Sequence, residues 1–303
     1  MKLSFLDGFA WLTGDISFEP VEKYGHLTIY ERTAPEDILE RIKDCDGFLV
    51  SKCKITRELM KSCDKLKFIA VTATGYDNID LDAAKELGIA VYNVPAYSTP
   101  AVAQHAFSLL LELANHVGQY NRSIQNGRWY ACSDFTFIED SPVLLEGKSL
   151  GIIGYGNIGK RVAKIAEAFG MKVNIYSRNK EAAIKSDFLT LHCPLTEENR
   201  GMINKEFISH MKDGAILINT ARGGLVNEED LAEALKEGKL AGAGLDVISA
   251  EPPEEPHPLI GIPNCILTPH MAWMPTETRQ NAINIVGDNI GKYLDGDKTN
   301  RIV

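Results

Sequence analysis

Short apolar runs alternate with amphipathic stretches along the first third of the chain. Two of these stretches, PEDILERIKD (35–44) and LDAAKELG (81–88), have apolar residues at helical spacing, with Pro35 suited to a first turn and Gly88 to a helix end. The apolar runs have the length of buried strands: LSFL (3–6), LTIY (27–30), GFLVS (47–51), LKFIAVTA (66–73) and IAVYNV (89–94). Strands that alternate with helices predict a parallel, doubly wound α/β sheet.

A second alternation of strands and helices begins at Lys148. Its strand patterns are SLGIIG (149–154), KVNIYS (172–177), DFLTLHC (187–193), GAILINT (214–220), AGAGLDV (241–247) and CILT (265–268). The last helical pattern (276–294) follows no further strand, so we expect it to pack back on the first unit. The chain is long enough for two cores, and we predict two doubly wound domains, one of residues 1–98 plus 273–303 and one of residues 99–272.

The two alternations are joined by a segment of different character. Residues 99–120 have the length and composition of a buried helix, and their polar side chains make a membrane span improbable: Gln104, His105, Glu112 and Asn115. Residues 126–147 are rich in aromatic and turn residues and have no clear period, which is typical of an extended arm. We predict that the part of this arm from Trp129 to Leu145 and the helix from about 99 to 118 form a two-fold dimer interface.

The composition of the chain argues against several classes of binding partner. The net charge of −9 argues against a general nucleic-acid or anionic-membrane binder, since either needs a basic surface. The six cysteines form no C-x-x-C pair, so neither a disulfide framework nor a zinc site is indicated. The first residues lack the apolar run of a signal peptide, and we expect a cytoplasmic protein.

The hexamer GYGNIG (154–159) has the G-x-G-x-x-G form, which alone is a weak signal. Here a strand pattern precedes it, a helix pattern follows it, and the strand KVNIYS completes a unit of about thirty residues. Gly154 suits the tight turn, Gly156 lets the backbone approach a pyrophosphate, and Gly159 allows close packing of helix on strand. We therefore expect a Rossmann dinucleotide-binding domain, with the pyrophosphate on the N–H groups at the helix start.

Two features downstream of this motif are unusual. The second strand ends in Ser177 and Arg178, where a dinucleotide enzyme usually has an acid for the ribose 2'-hydroxyl; this favours NADP slightly and leaves NAD open. Only nine residues (178–186) then precede the next strand, although a parallel crossover normally needs a dozen or more. Either the sheet lacks an edge strand, or residues are missing between Arg178 and Glu181; the short reach of nine residues favours the second explanation.

Three more segments carry polar side chains at predicted strand ends: NTARGGLVNEEDL (219–231), AGAGLDVISAEPP (241–253) and LTPHMAW (267–273). With GYGNIG and HCPLTEENRGMIN (192–204), they resemble the D-2-hydroxyacid dehydrogenase family over essentially the whole chain. Within it, LDG near the start, ATGYDNIDL, PAYSTPAVAQHAF and PHMAW are most similar to glycerate dehydrogenases, also called hydroxypyruvate reductases. The resemblance implies that a Rossmann domain is paired with a discontinuous, flavodoxin-like substrate domain. It also implies hydride transfer between NAD(P)H and a small 2-oxo or 2-hydroxy acid, hydroxypyruvate and D-glycerate or glyoxylate, with no metal.

The resemblance assigns the catalytic roles to Arg222, Glu251 and His270. A guanidinium can grip a substrate carboxylate and a 2-oxo oxygen together, an imidazole titrates near neutrality, and a carboxylate can orient that imidazole and support its charged form. Taken singly, each residue has an ordinary structural explanation; their occurrence together at three strand ends is what favours catalysis.

Further contacts follow from the resemblance. The cofactor residues are expected to be Gly154, Gly156, Asn157, Ile158, Gly159, Ser177, Arg178, Cys193, Pro194, Thr220, Ala221, Asp246 and His270. The substrate residues are expected to be Lys52, Thr74, Gly75, Arg222 and His270. Asp246 could instead be a structural cap, Lys52 could be an ordinary exposed lysine, and we interpret His105 and His192 as packing or cofactor-wall residues.

Two alternative functions share this scaffold. Nucleotide-sensing corepressors are built on it, and some of them retain the catalytic residues; we expect this compact chain to be without their extra partner-binding tails. Formate dehydrogenases pair the histidine with glutamine, whereas this chain has Glu251.

Overall fold

The computed structural model describes all residues from Met1 to Val303, and they divide into two compact units. Unit 1 consists of Met1–Ser98 and Met274–Val303, and unit 2 of Thr99–Trp273. Each unit is built on one sheet in which all strand pairs are parallel. The predicted class of two parallel-sheet α/β domains is therefore confirmed.

Unit 1 has a five-stranded sheet in the order β2-β1-β3-β4-β5. Of the three strands inside the sheet, β3 and β4 are buried at every position, as strands covered on both faces must be. The elements are β1 (Lys2–Phe5), α1 (Glu19–Glu22), β2 (His26–Ile29), α2 (Ile38–Ile42), β3 (Gly47–Val50), α3 (Arg57–Lys61), β4 (Phe68–Val71), α4 (Leu81–Glu86), β5 (Ala90–Tyr92) and the late helix α11 (Thr276–Asp295).

Helix α11 returns the end of the chain to unit 1. It lies so close to α1 that a Cβ at Gly287 would be 2.3 Å from the carbonyl oxygen of Pro20, so glycine is required at this crossing. The buried side chain of Asn289 donates to the carbonyl oxygen of Asn93 at 2.9 Å. The helix ends at Asp295 and is capped by Gly296, whose left-handed φ of 76° is favourable only without a side chain.

Unit 2 has a six-stranded sheet in the order β11-β10-β9-β8-β6-β7. Its elements are α5 (Thr99–Asn115), α6 (Val117–Gln125), β6 (Ser149–Ile153), α7 (Asn157–Ala168), β7 (Lys172–Ile175), α8 (Lys180–Ile184), β8 (Phe188–Leu191), α9 (Lys205–His210), β9 (Ala215–Asn219), α10 (Glu228–Lys236), β10 (Leu240–Leu245) and β11 (Cys265–Leu267). The order reverses between β6 and β8, the position at which open α/β sheets bind ligands beyond their carboxyl ends.

The long helix α5 is packed inside unit 2. Side chains at Gly242 and Gly244 of β10 would come within 2.9 Å of Leu113 and Leu109, so the two glycines let the helix lie directly on the sheet. Nine of its residues are buried. The apolar face that we expected to contribute to a dimer interface is therefore already covered within the same unit.

Strand β7 is the edge of the unit 2 sheet, because it pairs with β6 alone. The nine residues 178–186, which we judged too few for a crossover, contain the five-residue helix α8, whose N-cap Asn179 accepts a hydrogen bond from the Ala182 N–H at 3.0 Å. Helix α8 crosses very close to β6: a Cβ at Gly151 would lie 2.2 Å from the Ala183 carbonyl oxygen. The expectation of missing residues is wrong, since this close crossing shortens the path, and the sheet simply lacks an edge strand.

None of the helices combines the length and apolar composition that crossing a membrane requires. All six cysteines are free thiols. No group of three or more His, Cys, Asp or Glu side chains is arranged to hold a metal ion.

Candidate active site

The glycine-rich turn joins β6 to α7. Gly154 has a φ of +95°, and a Cβ there would lie 2.4 Å from the Cys193 nitrogen, so the turn requires glycine. A Cβ at Gly159 would lie 2.1 Å from the Gly154 carbonyl oxygen, which shows how tightly the helix packs on the turn. In contrast, nothing lies within 4 Å of the corresponding position at Gly156. The turn therefore leaves room for a group beside Gly156.

Helix α7 begins at Asn157 without a side-chain cap. The N–H groups of its first turn, at Asn157, Ile158 and Gly159, have no partner within the helix and can receive an anion. Two polar atoms at neighbouring strand ends are buried without a protein partner: Nδ1 of His192 after β8 and Oγ1 of Thr220 after β9. An open cradle, a helix start and two unpaired polar atoms together fit a dinucleotide.

The residues after β7 present positive charge. The Arg178 guanidinium lies 5.2 Å from the centroid of the Tyr155 ring, in the glycine turn itself. The Lys180 ammonium lies 5.7 Å from the Tyr176 ring. Arg178 therefore lies beside the glycine turn, and no carboxylate follows β7 before Glu181.

The segment after β8 forms another wall. The backbone of Cys193 lies against Gly154, and burial raises the pKa of the Cys193 thiol, so the side chain stays neutral. The Pro194 carbonyl oxygen accepts a hydrogen bond from Nδ2 of Asn199 at 2.9 Å, which fixes the following turn.

Glu251 and His270 form a direct pair. Nδ1 of His270 lies 2.6 Å from Oε2 of Glu251, and both side chains are partly exposed. The other oxygen of Glu251 accepts a hydrogen bond from the Ile248 N–H at 3.2 Å. Since Nδ1 is engaged by the carboxylate, Nε2 of His270 is the ring atom left to exchange a proton with a substrate.

The backbone around His270 is held by Asp246. His270 has a φ of +52°, and its N–H donates to the Asp246 carbonyl oxygen at 2.8 Å. The Asp246 carboxylate accepts hydrogen bonds from the Thr268 hydroxyl at 2.6 Å and from the N–H groups of Met271 and Ala272 at 2.9 Å. Only 1% of Asp246 is exposed. The Asp246 carboxylate therefore binds the backbone of the loop around His270. This corresponds to the structural cap that we gave as the alternative role of Asp246.

Sequence reasoning missed the part played by His105. Nε2 of His105 lies 2.9 Å from Oγ1 of Thr268 and 3.3 Å from Oδ1 of Asp246. Burial alone would raise the pKa of Asp246, but the hydrogen bonds from His105, Thr268 and the backbone outweigh it and hold that pKa below its ordinary value. His105 and Thr268 are 163 residues apart, and no local pattern connects them.

Arg222 lies in the loop after β9. The Asn219 side chain shapes this loop, because it accepts from the Ala221 N–H at 3.0 Å and donates to the Arg222 carbonyl oxygen at 2.9 Å. The guanidinium donates one hydrogen bond, from Nη1 to the Ala221 carbonyl oxygen, and no carboxylate of the chain pairs with it. Arg222 therefore retains donors for an anion.

The three predicted substrate residues of unit 1 follow strand ends. Lys52 comes after β3, and its N–H donates to the Asp7 carboxylate, while its ammonium is exposed. Thr74 and Gly75 come after β4, and the Thr74 hydroxyl donates to the Val94 carbonyl oxygen at 2.9 Å. The structure places these residues in one region of unit 1, after the neighbouring strands β3 and β4.

Comparisons with known proteins agree with this geometry. Residues 107–272 match the family described as D-isomer specific 2-hydroxyacid dehydrogenase, NAD binding domain. A hydroxypyruvate reductase of Blautia hydrogenotrophica is 41% identical over 318 residues, covering 99% of each chain.

Two solved structures resemble the chain as well. An acyclic imino acid reductase in complex with NADPH and D-Arg has a TM-score of 0.87 at 29% identity, covering 100% of both chains. The D-lactate dehydrogenase of Aquifex aeolicus, in complex with NAD and lactic acid, has a TM-score of 0.85 at 30% identity, covering 99% of both chains. The chain belongs to the D-isomer specific 2-hydroxyacid dehydrogenase family and is an NAD(P)-dependent oxidoreductase that interconverts 2-oxo and 2-hydroxy acids.

Proposed function

We propose that this enzyme reduces hydroxypyruvate to D-glycerate and takes glyoxylate as a smaller substrate. The observation that carries the proposal is the 2.6 Å contact between Nδ1 of His270 and Oε2 of Glu251. The similarity to a hydroxypyruvate reductase over 99% of both chains supports the choice of acid. The corepressor alternative is not favoured, because the relatives are enzymes.

The catalytic roles follow from the three side chains. Arg222 binds the substrate carboxylate and polarises the 2-oxo oxygen by parallel charge-assisted hydrogen bonds. His270 donates a proton from Nε2 to that oxygen while C2 receives the hydride. Glu251 accepts a hydrogen bond from Nδ1–H of His270 and thereby supports the charged form of the ring. In the oxidative direction, Nε2 of the neutral imidazole takes the proton from the substrate hydroxyl. No metal is needed in these steps.

We assign dinucleotide binding to unit 2. A bound nicotinamide dinucleotide supplies the hydride. Gly156 and the start of α7 would hold its pyrophosphate, and Thr220, Ala221, Cys193 and Pro194 would line its path. Because Arg178 follows β7 where an acid would otherwise be expected, we propose that NADPH is preferred modestly over NADH.

We assign further substrate contacts to unit 1. Thr74 and Gly75 would donate hydrogen bonds to the substrate carboxylate from the loop after β4, and Lys52 would add positive charge from the loop after β3. Lys52 is the clearest test, since its ammonium is exposed and forms no ion pair. Replacing it with alanine is expected to raise the KM for hydroxypyruvate and leave the Kd for NADPH unchanged.

The decisive experiment is turnover of hydroxypyruvate with NADPH and NADH, followed by nicotinamide absorbance, in the wild type and in His270→Gln. The variant is expected to lose about a hundred-fold or more in kcat, because general acid catalysis contributes on that order. Glu251→Gln should move the alkaline limb of the reduction profile to lower pH, since a neutral amide supports imidazolium less well than a carboxylate does.

Glu254→Gln is the matched control, because Glu254 is exposed in the same loop. No turnover of any 2-oxo acid by the wild type would contradict the proposed function. An unchanged pH profile in Glu251→Gln would contradict the role of that carboxylate.

We further propose a homodimer formed through the arm of residues 126–147. Several of its apolar side chains are exposed, among them Tyr130 at 96% and Phe135 at 89%. Exposed apolar clusters of this kind typically mark protein interfaces. Sedimentation at micromolar concentration should give a dimer, and a monomer would contradict the proposal.

The six free thiols of this protein are compatible with the reducing cytoplasm, which we propose as the location of the enzyme.

A further inference from the structure

The loop that carries Glu251 is attached to helix α10 by one carboxylate. Glu228, at the first position of α10, accepts a hydrogen bond from the Ser249 N–H at 2.6 Å and another from the Ser249 hydroxyl at 2.7 Å. Nε2 of His257 lies 3.3 Å from the same carboxylate. Ser249 and His257 lie on either side of Glu251 in the chain, so Glu228 contacts the loop both before and after that residue.

The Glu228 carboxylate and the His257 ring are largely buried. The side chains of Glu228 and His257 are only 12% and 8% exposed. A carboxylate removed from water is costly unless hydrogen-bond donors meet it, and here the N–H and the hydroxyl of Ser249 do so. Nδ1 of His257 accepts from the Leu259 N–H at 3.3 Å, and its buried Nε2 lies near the Glu228 carboxylate without forming a hydrogen bond to it.

The start of the loop that carries Glu251 packs closely against the segment that contains Arg222. A Cβ at Gly223 would lie 1.9 Å from the carbonyl carbon of Ile248 and 2.4 Å from the Ser249 nitrogen. The Ile248 N–H in turn donates to Oε1 of Glu251. The backbone that binds one oxygen of Glu251 is therefore fixed by Gly223 on one side and by Glu228 immediately beyond it.

We propose that Glu228 is a positioning residue for the reaction. It touches neither substrate nor cofactor; it holds the 248–257 loop so that the second oxygen of Glu251 stays within hydrogen-bond distance of His270. A displacement of about 1 Å breaks such a contact, and misplacements of that size can cost about a hundred-fold in rate. The inference rests on the proposed role of Glu251.

The test compares Glu228→Ala in two backgrounds, the wild type and Glu251→Ala. In the wild type, the substitution is expected to lower kcat for hydroxypyruvate reduction about ten-fold, with the KM for NADPH within about two-fold. In Glu251→Ala it is expected to lower kcat less than about two-fold, because no carboxylate is left to position. Glu228→Gln should restore most of the activity, since its amide oxygen still accepts from Ser249.

Glu229→Ala is the control, because the neighbouring Glu229 is exposed at the same helix start. Equal losses from Glu228→Ala in both backgrounds would show general damage to α10 and overturn the inference. Unchanged kcat in Glu228→Ala would overturn it as well. Unchanged kcat in Glu251→Ala would overturn the proposed role of Glu251 and the inference with it.

Should Glu228→Ala fail to fold, Ser249→Ala and His257→Gln each remove a single contact. Each is expected to lower kcat by a smaller factor that likewise disappears in the Glu251→Ala background. Losses that persist in that background would overturn the inference in the same way.

Discussion

Burial of His192 predicts that acid destabilises unit 2. The ring follows β8, its Nε2 lies 2.9 Å from the Thr190 hydroxyl, and its Nδ1 has no protein partner. Burial lowers the pKa of His192 from 6.5 to about 3. The folded protein therefore keeps this imidazole neutral at pH values at which the unfolded chain binds a proton.

The linkage between proton binding and folding gives the sign and the size of this effect of pH on stability. The depressed pKa means that the contribution to stability is complete above about pH 6.5 and is lost as the pH falls towards 3. Between about pH 7.5 and pH 5, one group with these two pKa values lowers the free energy of unfolding by about 2 kcal/mol. This is a substantial part of the stability of an ordinary domain.

Urea unfolding of the wild type and of His192→Gln at both pH values measures this contribution. The variant lacks the titrating group, so its free energy of unfolding should fall about 2 kcal/mol less than that of the wild type on acidification. His26→Gln is the control, because His26 is exposed on β2 and should leave the difference unchanged. Equal pH dependence in the wild type and His192→Gln would refute the reasoning.

Three further expectations concern the cofactor and assembly. Gly159→Ala should weaken NADPH binding about ten-fold or more in a fluorescence titration, because its Cβ would displace the Gly154 carbonyl; unchanged binding would contradict the assigned cradle. Arg178→Ala should raise the Kd of NADPH by about ten-fold and leave that of NADH within two-fold, whereas equal changes would show that Arg178 does not read the 2'-phosphate. Tyr130→Glu should shift sedimentation towards monomer, and an unchanged dimer would exclude this part of the arm from the interface.

Local patterns were sufficient to predict much of the fold. Apolar runs alternating with amphipathic stretches predicted parallel sheets because strand and helix periods are set over a few residues. The turn containing Gly154 could be recognised because its glycines meet a local steric demand. Glu251 and His270 could be named from motifs, and the structure places their side chains 2.6 Å apart.

Contacts between distant segments could not be predicted in this way. The hydrogen bond of His105 to Thr268 and the contacts of Glu228 with the loop that carries Glu251 depend on how loops after different strands meet. The hydrogen bonds that the Asp246 carboxylate accepts from the Met271 and Ala272 N–H groups likewise depend on how the segments after two strands come together.

The sequence by itself determined the two alternations of strands and helices, the glycine cradle and the identity of the candidate catalytic side chains, since each is encoded in a short stretch. Only the tertiary structure decided that α8 could cross the sheet in so few residues, because that depends on Gly151 letting the helix approach β6. It also decided that the apolar face of α5 is covered, because the glycines that admit this helix lie on β10, more than a hundred residues away along the chain.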